Sequence, residues 1–147
     1  MSIVFAAAED EPDEPLILQA PVLDLVRAEL LDELPRCGFD GVVIAETRPN
    51  PVPELFVQIE AGTDSGISGV VVDHWTLVFQ VWATERDRGE RLAAYVAALV
   101  RRMEGRKLGP TVIYSAETTT PRLFPDPESR ALRRVFSARI ICRAISV

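Results

Sequence analysis

The residues able to do acid–base, nucleophilic or metal chemistry are few in this chain, and their spacing keeps them apart. His74 is the sole histidine, so a Ser-His-Asp or Cys-His arrangement has one possible centre. It stands inside an apolar run, residues 70–83, where side chains alternate across a strand, so Asp73 faces away from it. We read His74 as a sheet residue. Cys37 and Cys142 lie far apart with no further thiol or histidine beside either, whereas a zinc site takes about four such ligands at local spacing. Buried thiols are expected. The carboxylates Glu46 with Glu60, or Glu117 with Asp126, have no spacing that singles them out for paired acid and base work. The stretch GTDSGISG, residues 62–69, is glycine-rich but lacks both the lysine and the following helix of a phosphate loop. No catalytic residue, metal or cofactor is expected.

Positive charge gathers at Arg86, Arg88, Arg91, Arg101, Arg102, Arg106 and Lys107. The plain reading is the solvated outer side of a helix; an acidic partner surface is the alternative. Trp75 and Trp82 are expected in the core rather than at an interface, because they sit in the most apolar strand.

These residues need elements to position them. The longest strand pattern, residues 70–83, carries aromatics on both alternating sets, Trp75 and Phe79 on one and Trp82 on the other, which predicts a strand covered on both faces. A charged turn, residues 84–89, follows, with Thr84 or Asp87 expected to cap the next helix. That helix presents Leu92, Tyr95, Val96, Leu99, Val100 and Met103 along one side, the spacing of a 3.6-residue repeat, and Gly105 is placed to end it. An earlier helix starts at Pro21, repeats Leu23, Val26, Leu30 and Leu34, and stops at Pro35 and Gly38.

Further strands are predicted at 41–47, 55–61, 111–118 and 134–145. In the last, Phe136, Ala138, Ile140, Cys142 and Ala144 share an apolar face, while Arg139 and Arg143 lie on the other, which would suit an inter-subunit surface or solvent. Residues 48–54 hold three prolines and make a stiff connection too long for a tight hairpin. Residues 62–69 read as a flexible loop, and residues 119–128 as a long proline-rich excursion bearing Leu123 and Phe124. Each amphipathic helix needs a sheet face to bury against. The expected fold is therefore a single α+β domain with a mainly antiparallel five-stranded sheet and both helices on one side.

Composition agrees with one domain, since 48% hydrophobic and 26% charged residues is the balance of an ordinary globular chain. The longest apolar runs are far short of the roughly 20 residues that cross a bilayer. Residues 3–8 lack the basic start of a signal peptide and precede an acidic segment, so a cytoplasmic site of synthesis is expected. The net charge of −6 argues against a protein built to grip phosphate backbones, which takes Lys and Arg. Glu9, Asp10, Glu11, Asp13 and Glu14 hold most of that excess. Residues 1–15 are thus expected to form a flexible acidic arm, with Ile3, Val4 and Phe5 as an apolar tip able to hook a partner, and residues 16–147 the folded domain.

Several stretches together resemble the tail terminator proteins of long-tailed, siphovirus-like actinobacterial phages or prophages. They are RPNPVPELFVQIEAG, the glycine-rich loop, VWATERDRGERLAAYVAALVRRM and LFPDPESRALRRVFSARIICRA, and the resemblance covers about residues 20–145. Val81, Trp82 and Ala83 leading through Asp87 into an alanine-rich helix, and Pro125, Asp126 and Pro127 before the final strand, carry most of it. One departure is the lone Gly62, where the family layout has a paired glycine and a shorter loop.

The resemblance implies a structural virion protein, not an enzyme. It would form a homo-oligomeric ring, commonly a hexamer, at the head-proximal end of the tail tube, stop tube growth and offer the surface for head attachment. Its partners would be itself, the tube protein and a head-side connector protein. DNA would pass through the lumen without specific binding, and no membrane is involved. Gly62, Asp64, Ser65 and Gly66 of the loop, Arg122, Leu123, Phe124 and Asp126 of the excursion, and Arg139 and Arg143 of the last strand are the expected subunit or tube contacts. The alternatives are another neck protein (a tail-completion or head–tail connector protein), a small cytoplasmic enzyme using Asp73 or His74, or a dimeric binding module.

Overall fold

The alternation of apolar residues in the long strands and the 3.6-residue repeats of the two helices are satisfied by one arrangement in the computed structural model, which describes residues 16–68, 72–126 and 132–146. In chain order the elements are β1 (Ile17–Leu18), α1 (Val22–Glu33), a short 3-10 turn (Pro35–Cys37), β2 (Val43–Ala45), β3 (Leu55–Ala61), β4 (Gly66–Ser68), β5 (Val72–Ala83), α2 (Arg86–Arg102), β6 (Lys107–Leu108), β7 (Thr111–Thr118), β8 (Arg122–Leu123), β9 (Arg133–Arg143) and β10 (Ile145–Ser146).

The main sheet has the order β2-β3-β5-β9-β7-β6, with β4 beside β5 and β8 beside β9, while β1 and β10 pair separately. The last long strand, β9, lies between β5 and β7 and is antiparallel to both, so β5 and β7 run the same way. Parallel strands need a crossover, and α2 supplies it. That path lays α2 over β5, β9 and β7, with α1 alongside over β2 and β3.

Both helices cover one face. Leu55, Val57 and Ile59 of β3, Leu77, Phe79 and Val81 of β5, and Phe136, Ala138 and Ile140 of β9 meet Val26 and Leu30 of α1 and Leu92, Val96 and Val100 of α2 in a continuous core. At its centre the rings of Phe79 and Phe136 stack 4.6 Å apart. The fold is the single α+β domain with two helices on one side of a mostly antiparallel sheet that the patterning predicts.

Several details differ from expectation, each for a local reason. Strand β2 is shorter than 41–47 and pairs parallel to β3, because the proline-rich residues 48–54 carry the chain back before it re-enters the sheet. Strands β4, β6 and β8, with two or three residues each, are too short to show a period. Helix α2 begins at Arg86, inside the expected turn. Its N-cap is Glu85 with no side-chain cap, so neither Thr84 nor Asp87 fills that role. Gly89 is therefore in the first turns of the helix, where a Cβ would come within 3.2 Å of the Ala83 Cβ. Tyr95 lies at the rim of the apolar side, 39% exposed, with its ring edge-on to Phe39. Gly105, at φ +79°, turns the chain after the helix, and its N–H donates to the Ile113 carbonyl at 2.7 Å.

Ion pairs account for much of the positive charge of α2. Arg102 meets Glu33 at 3.1 Å and Arg106 meets Glu29 at 3.3 Å, so the acidic surface they face is α1 of the same chain. The acidic arm, residues 1–15, together with Gly69 of the predicted loop, Val70 and Val71 of the predicted spine, Pro127 and Glu128 of the excursion and residues 129–131, lies outside the described residues.

Candidate functional site

Because β5 and β9 alternate, each residue that enters the core has neighbours on the opposite face of the sheet. That face carries His74, Thr76, Val78, Gln80 and Trp82 from β5, and Arg133, Val135, Ser137, Arg139, Ile141 and Arg143 from β9, in direct register. No helix covers it. The described residues close it at the Trp82 end. There Phe56 stacks on Trp82 with centroids 5.5 Å apart, and the guanidinium groups of Arg48 and Arg133 sit 5.7 and 6.0 Å from the Trp82 ring centre. Arg48 also bonds Asp126 at 3.0 Å, which ties the two proline-rich segments together over the tryptophan. The prediction that both faces of β5 are covered holds at this end alone, and Val78 and Thr76 beyond it are half-buried.

The exposed remainder forms two adjoining depressions that share Thr119 and Ser137. One, of about 350 Å³, has Val78, Val135, Phe124 and Arg122 in its wall. The other, of about 290 Å³, has Thr76, Asp64, Glu117 and Arg139. Together they make a shallow groove with an apolar half and a charged half.

The loop at 62–65 is not a free excursion. It is a bulge between β3 and β4, which both pair with β5. The Gly62 N–H donates to the Thr76 carbonyl at 2.6 Å, the Thr76 N–H donates to Ser65 Oγ at 3.1 Å, and the Thr76 hydroxyl donates to Asp64 at 3.1 Å. Gly62 is needed there, since a Cβ would fall 2.9 Å from Asp64 Oδ1 and 3.2 Å from the Thr76 carbonyl oxygen. Gly66 follows in β4, opposite His74.

The excursion is anchored too. Arg122 lies opposite Val135 and Leu123 opposite Arg134, so the first shares the groove's face and the second is on the helix side. Phe124 is 50% exposed at the groove rim, its N–H donating to the Arg133 carbonyl at 2.7 Å. Asp126 is 7% exposed and belongs to the Arg48 clamp. Arg139 stands between Thr76 and Glu117, and Arg143 marks the far end, opposite Val72. Of the residues singled out from the sequence, the fold thus gathers Asp64, Arg122, Phe124 and Arg139 along one groove. It sends Leu123 to the other face, buries Asp126, and holds Gly66 and Arg143 at the end of the sheet.

Thr119, Thr120, Val78 and Ser137 also line the groove and were not picked out. Val78 belongs to the same alternate set as Trp82, and that was the signal available. The Ser137 N–H donates to Thr119 Oγ1 at 2.8 Å, a pairing that continues the ladder past the end of β7.

The residues considered for catalysis are not brought together. Asp73 faces the helix side and is fully buried, accepting bonds from the Ala20 N–H at 2.8 Å and from the Gln19 amide at 3.1 Å. It fastens the strand-to-helix connection between β1 and α1. An acid inside an apolar strand is itself a sign of such a buried partner. His74 lies on the open face between Gly66 and Ile141. Cys142 is buried and Cys37 half-buried. Burial pushes the Cys142 thiol up to about 11; the bond with Thr111 acts against this and the Asp73 charge adds to it. Among the described residues no group of three His, Cys, Asp or Glu is placed to hold a metal ion.

No family model matches this chain, and no curated protein matches it. Among solved structures, one chain aligns at a TM-score of 0.42 and 12% identity, covering 83% of this chain and 94% of that one. Another, from the virion of a native gene transfer agent particle, aligns at a TM-score of 0.56 and 12% identity, covering 85% of this chain and 94% of that one. At that identity the likeness shows a shared fold across nearly the whole of both chains.

Proposed function

We propose that this protein is a structural component of a phage-type virion, a tail terminator that assembles with copies of itself into a ring at the head-proximal end of the tail tube. There it stops tube growth and presents the surface to which the head attaches. The observation that carries this reading is the shared fold, nearly end to end, with a chain of the gene transfer agent virion. The site geometry supports it. A long sheet face that no helix covers among the described residues, edged by an anchored loop and an anchored proline-rich segment, offers broad contact rather than an enclosed reaction site. Ring assembly is a heterologous contact, in which one surface of a copy meets a different surface of the next, and such a face is one half of that contact. The loop at 62–69, the segment at 121–128 and the acidic arm make the subunit and tube contacts in this reading. The subunit does no catalysis and works in the virion after synthesis in the host.

Light scattering of the purified protein, alone and with tube protein, tests this, with electron microscopy of the largest species. The expected result is a ring of about six 16.3 kDa copies, free or capping tube ends. A particle that stays monomeric or dimeric at all concentrations and leaves tube ends bare overturns it.

A further inference from the structure

At each side of the main sheet a charged side chain of the same copy occupies an outward backbone group. At β2 the Arg27 guanidinium donates to the Ile44 carbonyl at 2.7 Å. At β7, beyond the residues paired with β6, the Ala116 N–H donates to the Glu104 carboxylate at 3.1 Å. Both charged residues are exposed. A backbone group that a sheet edge turns outward is a template for a further strand, and a charge set over it guards that edge. The two guards differ in sign, and so do the groups they hold. One edge has an acceptor under a cation, and the other has a donor under an anion.

The strand directions match as well. β2 is parallel to β3, β3 is antiparallel to β5, and β5 runs the same way as β7, so β2 and β7 are antiparallel within one copy. Rotation about an axis along the strands keeps every direction. It therefore brings the β2 edge of one copy antiparallel to the β7 edge of the next, and Ile44 can stand opposite Ala116. A strand residue turns its N–H and C=O to the same side, so this pair can exchange both bonds, the closely spaced unit of an antiparallel ladder. Like edges do not match in this way, because a two-fold pairing sets Glu104 against Glu104 or Arg27 against Arg27. Val43, 38% exposed on β2, and Tyr114, 48% exposed on β7, are apolar residues that the joined strands help to cover.

We infer that the β2 edge of one copy pairs with the β7 edge of a second copy, Ile44 opposite Ala116, and that Arg27 and Glu104 leave their own backbones to form an ion pair across the contact. This rests on the ring reading and names one of its subunit contacts. The open face keeps contacts of its own.

The test reverses the charges in the full chain, with assembly read by light scattering and by electron microscopy with tube protein. Arg27→Glu alone and Glu104→Arg alone each set like charges together at the contact and should weaken assembly at least about tenfold. The two changes together restore opposite charge and should return it to within about threefold of the parent. The rescue cannot arise inside one copy, since Arg27 and Glu104 lie at opposite sides of the sheet. Matching thermal unfolding of the variants shows that the fold is intact. In a Cys37→Ser chain, Val43→Cys with Glu117→Cys places thiols on the opposed residues next to the Ile44–Ala116 pair, where Cα atoms stand about 4.5 Å apart. Mild oxidation should link successive copies, whereas Ala94→Cys, exposed on α2, in place of Glu117→Cys should not. Single reversals that assemble like the parent, a double reversal as weak as the singles, or copies that fail to link overturn the inference while the parent's rings stand. A parent that forms no ring, with or without tube protein, overturns both readings.

Discussion

Leu77, Phe79 and Val81 of β5 are fully buried against the helices, while Thr76, Val78 and Gln80, each one residue away, are half-exposed on the far side. The same contrast runs through β9, with Phe136, Ala138 and Ile140 inward and Val135, Ser137 and Arg139 outward. A strand's two-residue period thus puts the cohesion of the domain into one face and leaves the other to surface chemistry. The helix face is held by apolar contact with both helices. The open face is held at one end by a long-range polar clamp, and beyond it the described residues leave a shallow groove.

The largest expected effect lies on the helix face. Phe79→Ala removes a fully buried ring stacked on Phe136 and should cost about 3–5 kcal/mol, read as a lower urea midpoint. Val78→Ala, one position along, should cost at most about 1 kcal/mol, because that side chain keeps contact with solvent. Comparable losses at the two positions would make the open face a second core and end the distinction.

Cys142 sharpens the comparison through pH. Its thiol is on the helix side and is pushed up to about 11 from 9.0 by burial. A folded pKa above the unfolded one favours the protonated native state, so this contribution is complete below pH 9 and is lost as pH rises through 11. Unfolding titrations should show a fall of about 2–3 kcal/mol across that window, and Cys142→Ala should flatten it. An unchanged slope in the variant would mean that other groups govern alkaline unfolding.

At the clamped end of the open face, Arg48→Ala removes the Arg48 guanidinium from Asp126 and uncovers one side of Trp82. A loss of about 1–2 kcal/mol is expected, less than for a fully buried pair because Arg48 is about a third exposed. Tryptophan emission should shift to the red. A silent variant would show that the proline-rich segments rest on the sheet without help from the clamp.

The helix face was legible in the sequence because period and composition agreed there. The span 55–61 is a strand as patterned, and the repeat Leu92, Val96, Leu99, Val100, Met103 is the buried side of α2. The exception, Tyr95, sits at the rim because an aromatic at that position reaches Phe39 instead of the sheet. The open face was harder to read. Its clamp joins Arg48 to Asp126 across 78 positions, and nothing local to either residue marks the contact. The bulge at 62–65 resembled a flexible loop because its order comes from Thr76, a residue of the next strand. One missed feature did leave a signal. Glu29 and Glu33, four apart, share one side of α1, and Arg102, the last residue of α2, and Arg106, just past it, are the bases within reach of that side.

The smallest expected effect on stability tests the contrast most directly. Arg139 is exposed and unpaired among the described residues, so Arg139→Ala should move the unfolding free energy by no more than about 0.5 kcal/mol. Its effect on association should be disproportionate. Removing a charge from a contact surface weakens encounter with acidic groups and lowers the salt dependence of that encounter, while the buried core is unaffected. Sedimentation with tube protein at low and high salt, alongside urea unfolding, separates the two. An Arg139→Ala variant that joins tube ends as well as the parent, with the same salt response, would take this face out of assembly. One that unfolds as readily as Phe79→Ala would show that Arg139 belongs to the domain's cohesion after all.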